Sequence, residues 1–189
     1  MISMRAKFIA SQHGFAAVVV AFAMATPIAA VAQSPFIYEA KFGVLYHDVP
    51  HLWSGFRLEN GIDINAEVIL APALPFLGGA IRPAIGGTVN TGGYTSKGYI
   101  DARWQIDTAS GFYFGLGLGV AVHDGHMNPN ALDRKALGSR ALFHIPAEVG
   151  FRFDHHNSIS VYFDHMSNGY TQKYNEGLDT LGVRYGYRF

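Results

Sequence analysis

A histidine and a serine two residues apart, His165-Met166-Ser167, and an aspartate that follows them, Asp179, are the residues of this chain best suited to covalent chemistry. A serine hydroxyl is a weak nucleophile until an adjacent base takes its proton. An imidazole can be that base, and a carboxylate on its other nitrogen orients the ring and stabilises its charged form. Such a set attacks acyl groups, so its chemistry is ester hydrolysis or acyl transfer. A His-x-Ser pair alone also arises by chance, and a histidine and a serine at the end of an element often do no more than meet water. The three side chains carry chemistry only if their elements bring them to one surface.

Those elements are strands. From residue 37 onward the apolar residues recur with period two. Ile62, Ile64, Ala66, Val68 and Leu70 enclose Asp63, Asn65 and Glu67; Ile100, Ala102, Trp104 and Ile106 enclose Asp101, Arg103 and Gln105. Successive side chains of a strand point to opposite faces, so each segment has one apolar and one polar face. Phe114 to Val122 alternates instead with Gly115, Gly117, Gly119 and Ala121, so that second face is small. Eight such segments cover about 37–48, 61–72, 79–91, 95–107, 111–123, 139–152, 157–168 and 178–189. They are long against a usual strand of about 5–6 residues and suit a membrane strand of about 9–11 residues with overhang. Residues 49–60, 124–138 and 169–177 are long polar connections, whereas 108–110 and 153–156 are short. The 73–78 turn is intermediate, and 92–94 is short where a long connection is expected.

This alternation fits an all-β, eight-stranded antiparallel transmembrane β-barrel of the outer membrane, with its long loops outside. A soluble barrel, apolar inside and polar outside, gives the same alternation with the faces exchanged. The aromatic-rich, uncharged apolar set and the scarcity of lysine favour the membrane barrel. In that arrangement His165 and Ser167 continue the outward face of Ile159, Val161 and Phe163. Asp179 shares the outward face of Leu181, Val183, Tyr185 and Tyr187. All three would face the outer leaflet, where ionisable groups mark function.

Composition narrows the classes further. Fourteen basic and fourteen acidic residues cancel, and only 15% of residues are charged, so no basic stripe exists for nucleic acid. With no cysteine, disulfide scaffolds, thiolate zinc sites and cysteine nucleophiles are excluded. Arg5 and Lys7, the apolar run Phe15 to Met24, and Ala30-Val31-Ala32 read as a signal peptide, 1–32, cleaved after Ala32, leaving 33–189 as the barrel.

The stretch His165-Met166-Ser167-Asn168-Gly169, followed by Asn175-Glu176-Gly177-Leu178-Asp179 at the start of the last strand, resembles the lipid A 3-O-deacylase (PagL-type) family. The resemblance is specific over about 157–189 and architectural elsewhere. It implies Ser167 as nucleophile, His165 as general base and Asp179 as the orienting acid, where the family typically has Glu. It also suggests an oxyanion role for Asn168. The implied reaction removes the 3-hydroxyacyl chain at position 3 of lipid A and requires no metal or other cofactor. The expected partners are lipopolysaccharide, the surrounding outer-membrane lipids, and the assembly machinery that reads a terminal aromatic strand ending in Phe189; a homodimer stays open. A non-catalytic structural or adhesive barrel and a phospholipid-directed lipase or acyltransferase remain alternatives.

Other polar groups read more plainly. His47-Asp48-Val49-Pro50-His51 and His123-Asp124-Gly125-His126 lack tight metal-ligand spacing and are expected to be solvated loop residues. Asp101, Arg103, Asp107, His144, Glu148, Arg152, Asp164, Arg184 and Arg188 are expected inside the barrel as ion pairs. Trp53 is expected to anchor the interface and Trp104 to face lipid.

Overall fold

The computed structural model describes residues 36–55 and 59–189, and the expected signal peptide lies outside the described residues. The strands are β1 (Ile37–His47), β2 (Ile62–Leu70), β3 (Leu74–Phe76), β4 (Gly79–Asn90), β5 (Lys97–Asp107), β6 (Phe112–His123), β7 (Ala141–Arg152), β8 (Asn157–Ser167) and β9 (Leu178–Arg188). Each long strand pairs antiparallel with its neighbours, β1 pairs β9, and β2 pairs β4. The eight long strands therefore close into a barrel with no free edge, as a sheet surrounded by hydrocarbon requires.

The ninth strand was not expected. The 73–78 connection was expected as a turn, yet within it Leu74 to Phe76 pair with Gly79 to Ile81. The hairpin turns at Leu77 and Gly78, both at positive φ (45° and 75°). Trp104 is only half-buried because its indole N–H reaches across to the Phe76 carbonyl at 2.8 Å.

Which face points out decides between the two barrels. Phe42, Ile64, Ile100, Leu118, Val120 and Val161 are all about half exposed or more. They form a continuous apolar wall far larger than a soluble monomer leaves bare. The alternating partners Lys41, Asn65, Glu67, Asp101, Arg103 and Arg184 are buried. A polar interior inside an apolar wall is the transmembrane arrangement.

The interior charges survive burial because they are paired. Glu148 accepts from Lys41 at 2.9 Å and Arg184 at 2.6 Å, and Arg184 also lies 3.3 Å from Glu67. Arg103 pairs with Glu67, and Lys97 with Asp164. The small face of β6 makes room for them: a Cβ on Gly117 would stand 2.8 Å from Arg103 Cδ, and one on Gly119 2.1 Å from Asp101 Oδ1. Asp107, expected inside with the rest, is exposed at the mouth, where Arg188 reaches it.

The long-loop end is closed by a second polar cluster, which corrects the reading of His47 and Asp48 as solvated. Both are buried. His47 donates from Nδ1 to Asp63 at 2.8 Å and from Nε2 to Glu59 at 3.1 Å. Asp48 accepts from the Glu59 amide and lies 3.2 Å from Lys135 Nζ. Burial pushes the Asp48 carboxyl up to about 6, against the opposing charge of Lys135. Burial alone would also raise Glu59. The hydrogen bonds it accepts from His47, Lys135 and Thr95 win and hold it down at about 2.

Candidate active site

The site lies on the outer wall of the barrel at its long-loop end, across the β8–β9 pair. His165 and Asp179 are direct register partners. Facing residues of neighbouring strands bring their Cβ atoms to about 5 Å, within reach of an imidazole and a carboxylate. Ser167 follows two residues later on the same face of β8. Strand geometry alone therefore assembles the trio.

The three side chains form one hydrogen-bonded line. His165 Nδ1 and Asp179 Oδ1 are 2.6 Å apart, and His165 Nε2 and Ser167 Oγ are 2.9 Å apart. A carboxylate can only accept, so Nδ1 carries the proton of the neutral ring and Nε2 is left to accept from the serine hydroxyl. That tautomer is the one a general base needs.

On a bare barrel wall these groups would stand in hydrocarbon, yet His165 is 4% exposed and Asp179 is fully buried. The first long loop, between β1 and β2, covers them. The Trp53 indole stacks on the His165 ring with centroids 4.3 Å apart and planes 11° apart. The backbone N–H groups of Trp53 and Ser54 donate to Asp179 Oδ2 at 2.7 and 2.6 Å. The Val49 amide donates to the Asp179 carbonyl at 3.0 Å. Trp53, expected as an interface anchor, thus belongs to the site; its sequence carried no periodic signal for this. Ser167 itself is only half-buried, so the nucleophile remains open from the outer wall.

The Asn175 to Asp179 stretch owes its pattern to the same geometry. Asn175 Oδ1 accepts from the Asn168 amide at 2.8 Å, holding the chain just after Ser167. Glu176 accepts from the Ala136 amide at 2.7 Å, tying this loop to the 124–140 connection. Gly177 has φ +65°, and a Cβ there would stand 3.0 Å from His165 Cε1. Only glycine meets both demands.

Asn168, the oxyanion candidate, is held by both neighbouring loops. It is buried, and its side-chain amide donates to the carbonyls of Leu137 at 2.9 Å and Tyr174 at 2.6 Å. Both amide hydrogens are therefore engaged in joining two outer loops. Reaching an oxyanion beside Ser167 would cost one of these bonds.

Two cavities lie elsewhere. One of about 260 Å³ opens inside the barrel near Tyr38, Arg82, Arg103 and Glu148. The other, about 570 Å³, is a groove on the outer wall beside Leu74, Ile81 and Ile100. Neither touches the triad.

Comparison with known proteins bears on the family and the fold. No curated protein matches the chain. Among solved structures, that of the outer membrane enzyme PagL superposes with a TM-score of 0.60 at 16% identity, covering 79% of this chain and 99% of that one. Yersinia pestis Ail (TM-score 0.44, 14% identity, 80% and 99% covered) and Neisserial surface protein A (0.49, 14%, 82% and 98%) are looser likenesses. The family model described as lipid A 3-O-deacylase (PagL) matches residues 84–188, more than half the chain and inclusive of His165, Ser167 and Asp179, so the chain belongs to the lipid A 3-O-deacylase family.

Proposed function

We propose that the protein is an outer-membrane esterase that removes the 3-O-linked 3-hydroxyacyl chain of lipid A by a Ser-His-Asp mechanism. The observation that carries this reading is the unbroken hydrogen-bonded line Asp179–His165–Ser167 on the outer wall. Ser167 Oγ attacks the ester carbonyl while His165 Nε2 takes its proton. The tetrahedral intermediate collapses, and His165 returns the proton to the departing sugar oxygen. Water, activated by the same imidazole, then releases the fatty acid from Ser167. Asp179 stays ionised and keeps Nδ1 protonated. The oxyanion would be held by local donors, a loop backbone N–H or the Asn168 amide, which would then have to leave a carbonyl it now serves.

The wall position supports a lipid substrate, because Ser167 opens onto the surface that acyl chains cover. Residues 1–32 direct export and are removed after Ala32. The terminal strand presents Tyr187 and Phe189, edge-to-face at 5.2 Å, to the assembly machinery. The test is mass spectrometry of lipid A incubated with refolded protein in detergent. Wild type should remove one 3-hydroxyacyl chain, and Ser167→Ala should remove none. Unchanged lipid A from a folded wild-type barrel overturns the reading.

A further inference from the structure

The Trp53-Ser54 dipeptide touches two members of the triad at once. The indole lies flat on the His165 ring, and the two backbone N–H groups converge on the one Asp179 oxygen that His165 does not use. Ser54 is buried while Trp53 remains 59% exposed, so packing into a core does not explain why the indole lies where it does. The segment also lies outside 84–188, the part of the chain that carries the family match.

Two physical consequences follow. A tryptophan face is the best aromatic partner for a cation, and in the proposed reaction His165 becomes a cation when it takes the proton of Ser167. A contact that is stronger with imidazolium than with imidazole stabilises the transition state more than the ground state. The carboxylate is the second point. Asp179 is one methylene shorter than glutamate, so its plane is set by where its two oxygens are tied. One is tied to His165 and the other to the loop amides.

We propose that Trp53 and the Trp53-Ser54 amides form a positioning clamp for the hydrolysis, the indole holding and stabilising the protonated ring of His165 and the amides fixing the short carboxylate of Asp179. This rests on the triad reading above. The indole meets no reacting atom of the substrate, so Trp53 is a positioning residue. Among the described residues, Asp179 of β9 is the charged group that faces His165; Ile145 of β7 and Gly177 of the last loop bring no charge to it.

The experiment compares Trp53→Leu, Trp53→Phe and Ser167→Ala with wild type as refolded barrels in detergent, each shown folded by heat-modifiable mobility. Trp53→Leu keeps an apolar cover but removes the π face. It should lower kcat roughly tenfold with KM little changed. The acid limb of kcat/KM should move to lower pH, because the imidazolium has lost a stabilising contact. Trp53→Phe should recover most of both. A merely structural cover would leave the acid limb in place. Wild-type kcat and acid limb in folded Trp53→Leu, or a Phe variant no better than the Leu variant, overturns the clamp. Should Trp53→Leu fail to fold, Trp53→Phe and Trp53→Tyr decide: both must keep kcat within about threefold, and a fall beyond tenfold in either overturns it. Activity remaining in Ser167→Ala would instead sink the triad reading, so the two failures are distinguishable.

Discussion

Two histidines on adjacent strands of this barrel have nearly the same surroundings and opposite fates. His144 of β7 points inward. Its Nδ1 lies 2.9 Å from Asp101, its ring stacks on Tyr99 at 4.3 Å, and it is fully buried. His165 of β8 points outward. Its Nδ1 lies 2.6 Å from Asp179, and its ring stacks on Trp53 at the same 4.3 Å. An acid on Nδ1 and an aromatic on the ring face are common to both. The difference is at Nε2. His144 there faces a second carboxylate, Asp164 at 3.7 Å, which is already held by Lys97 and Thr180. His165 faces a hydroxyl that is open to the outside. A buried His–Asp pair can thus be barrel cement, and under the proposed mechanism what sets His165 apart is a hydroxyl on its other nitrogen and access to it.

Mirrored substitutions test that contrast. His165→Asn should cost on the order of 10⁴ in kcat, whereas His144→Asn should leave the rate per folded molecule within about threefold of wild type, measured by lipid A turnover normalised to folded protein. The carboxylates come next. Asp179→Asn should lower kcat by about 10³ to 10⁴, because an amide donating to Nδ1 forces the proton onto Nε2. Asp101→Asn should spare the rate and instead lower the urea midpoint of the barrel, by about 1–3 kcal/mol of stability. Equal activity losses from the two members of either pair would erase the distinction.

The smallest effect concerns the loop cluster. Asp48 has its carboxyl raised to about 6 in the folded protein. The folded state therefore holds an extra proton between about pH 4 and pH 6, and its stability falls as pH rises through that interval. Glu59 acts oppositely: its contribution is complete above its ordinary range and fades as pH falls toward about 2. The urea midpoint should decline modestly from pH 4 to 6 in wild type and stay level in Asp48→Asn.

Much of this was legible because strand alternation is a strong signal. It placed His165, Ser167 and Asp179 on one face and named the inward charges of β5 and β7 except for Asp107, which the barrel mouth exposes. The same signal reaches His47, although its neighbours read as loop. Glu39, Lys41, Leu45 and His47 fall on one parity of β1 and are all buried. The His-Asp-Val-Pro-His sequence looked like solvent-facing loop and masked that register. The covering by Trp53 had no such signal, since an irregular loop has no period and its contacts exist only after closure. Asn168 shows the same limit: position after the serine said nothing about which carbonyls would claim its amide.

The placement of the half-buried Ser167 on the outer wall sets the terms of the kinetics. A wall encloses less of a substrate than a pocket does, so neighbouring lipids form part of the reacting molecule's surroundings. Saturation is then a matter of how densely the leaflet is filled, measured per unit area. Turnover in a membrane should follow lateral diffusion and lipid composition, which a count of molecules per litre does not capture.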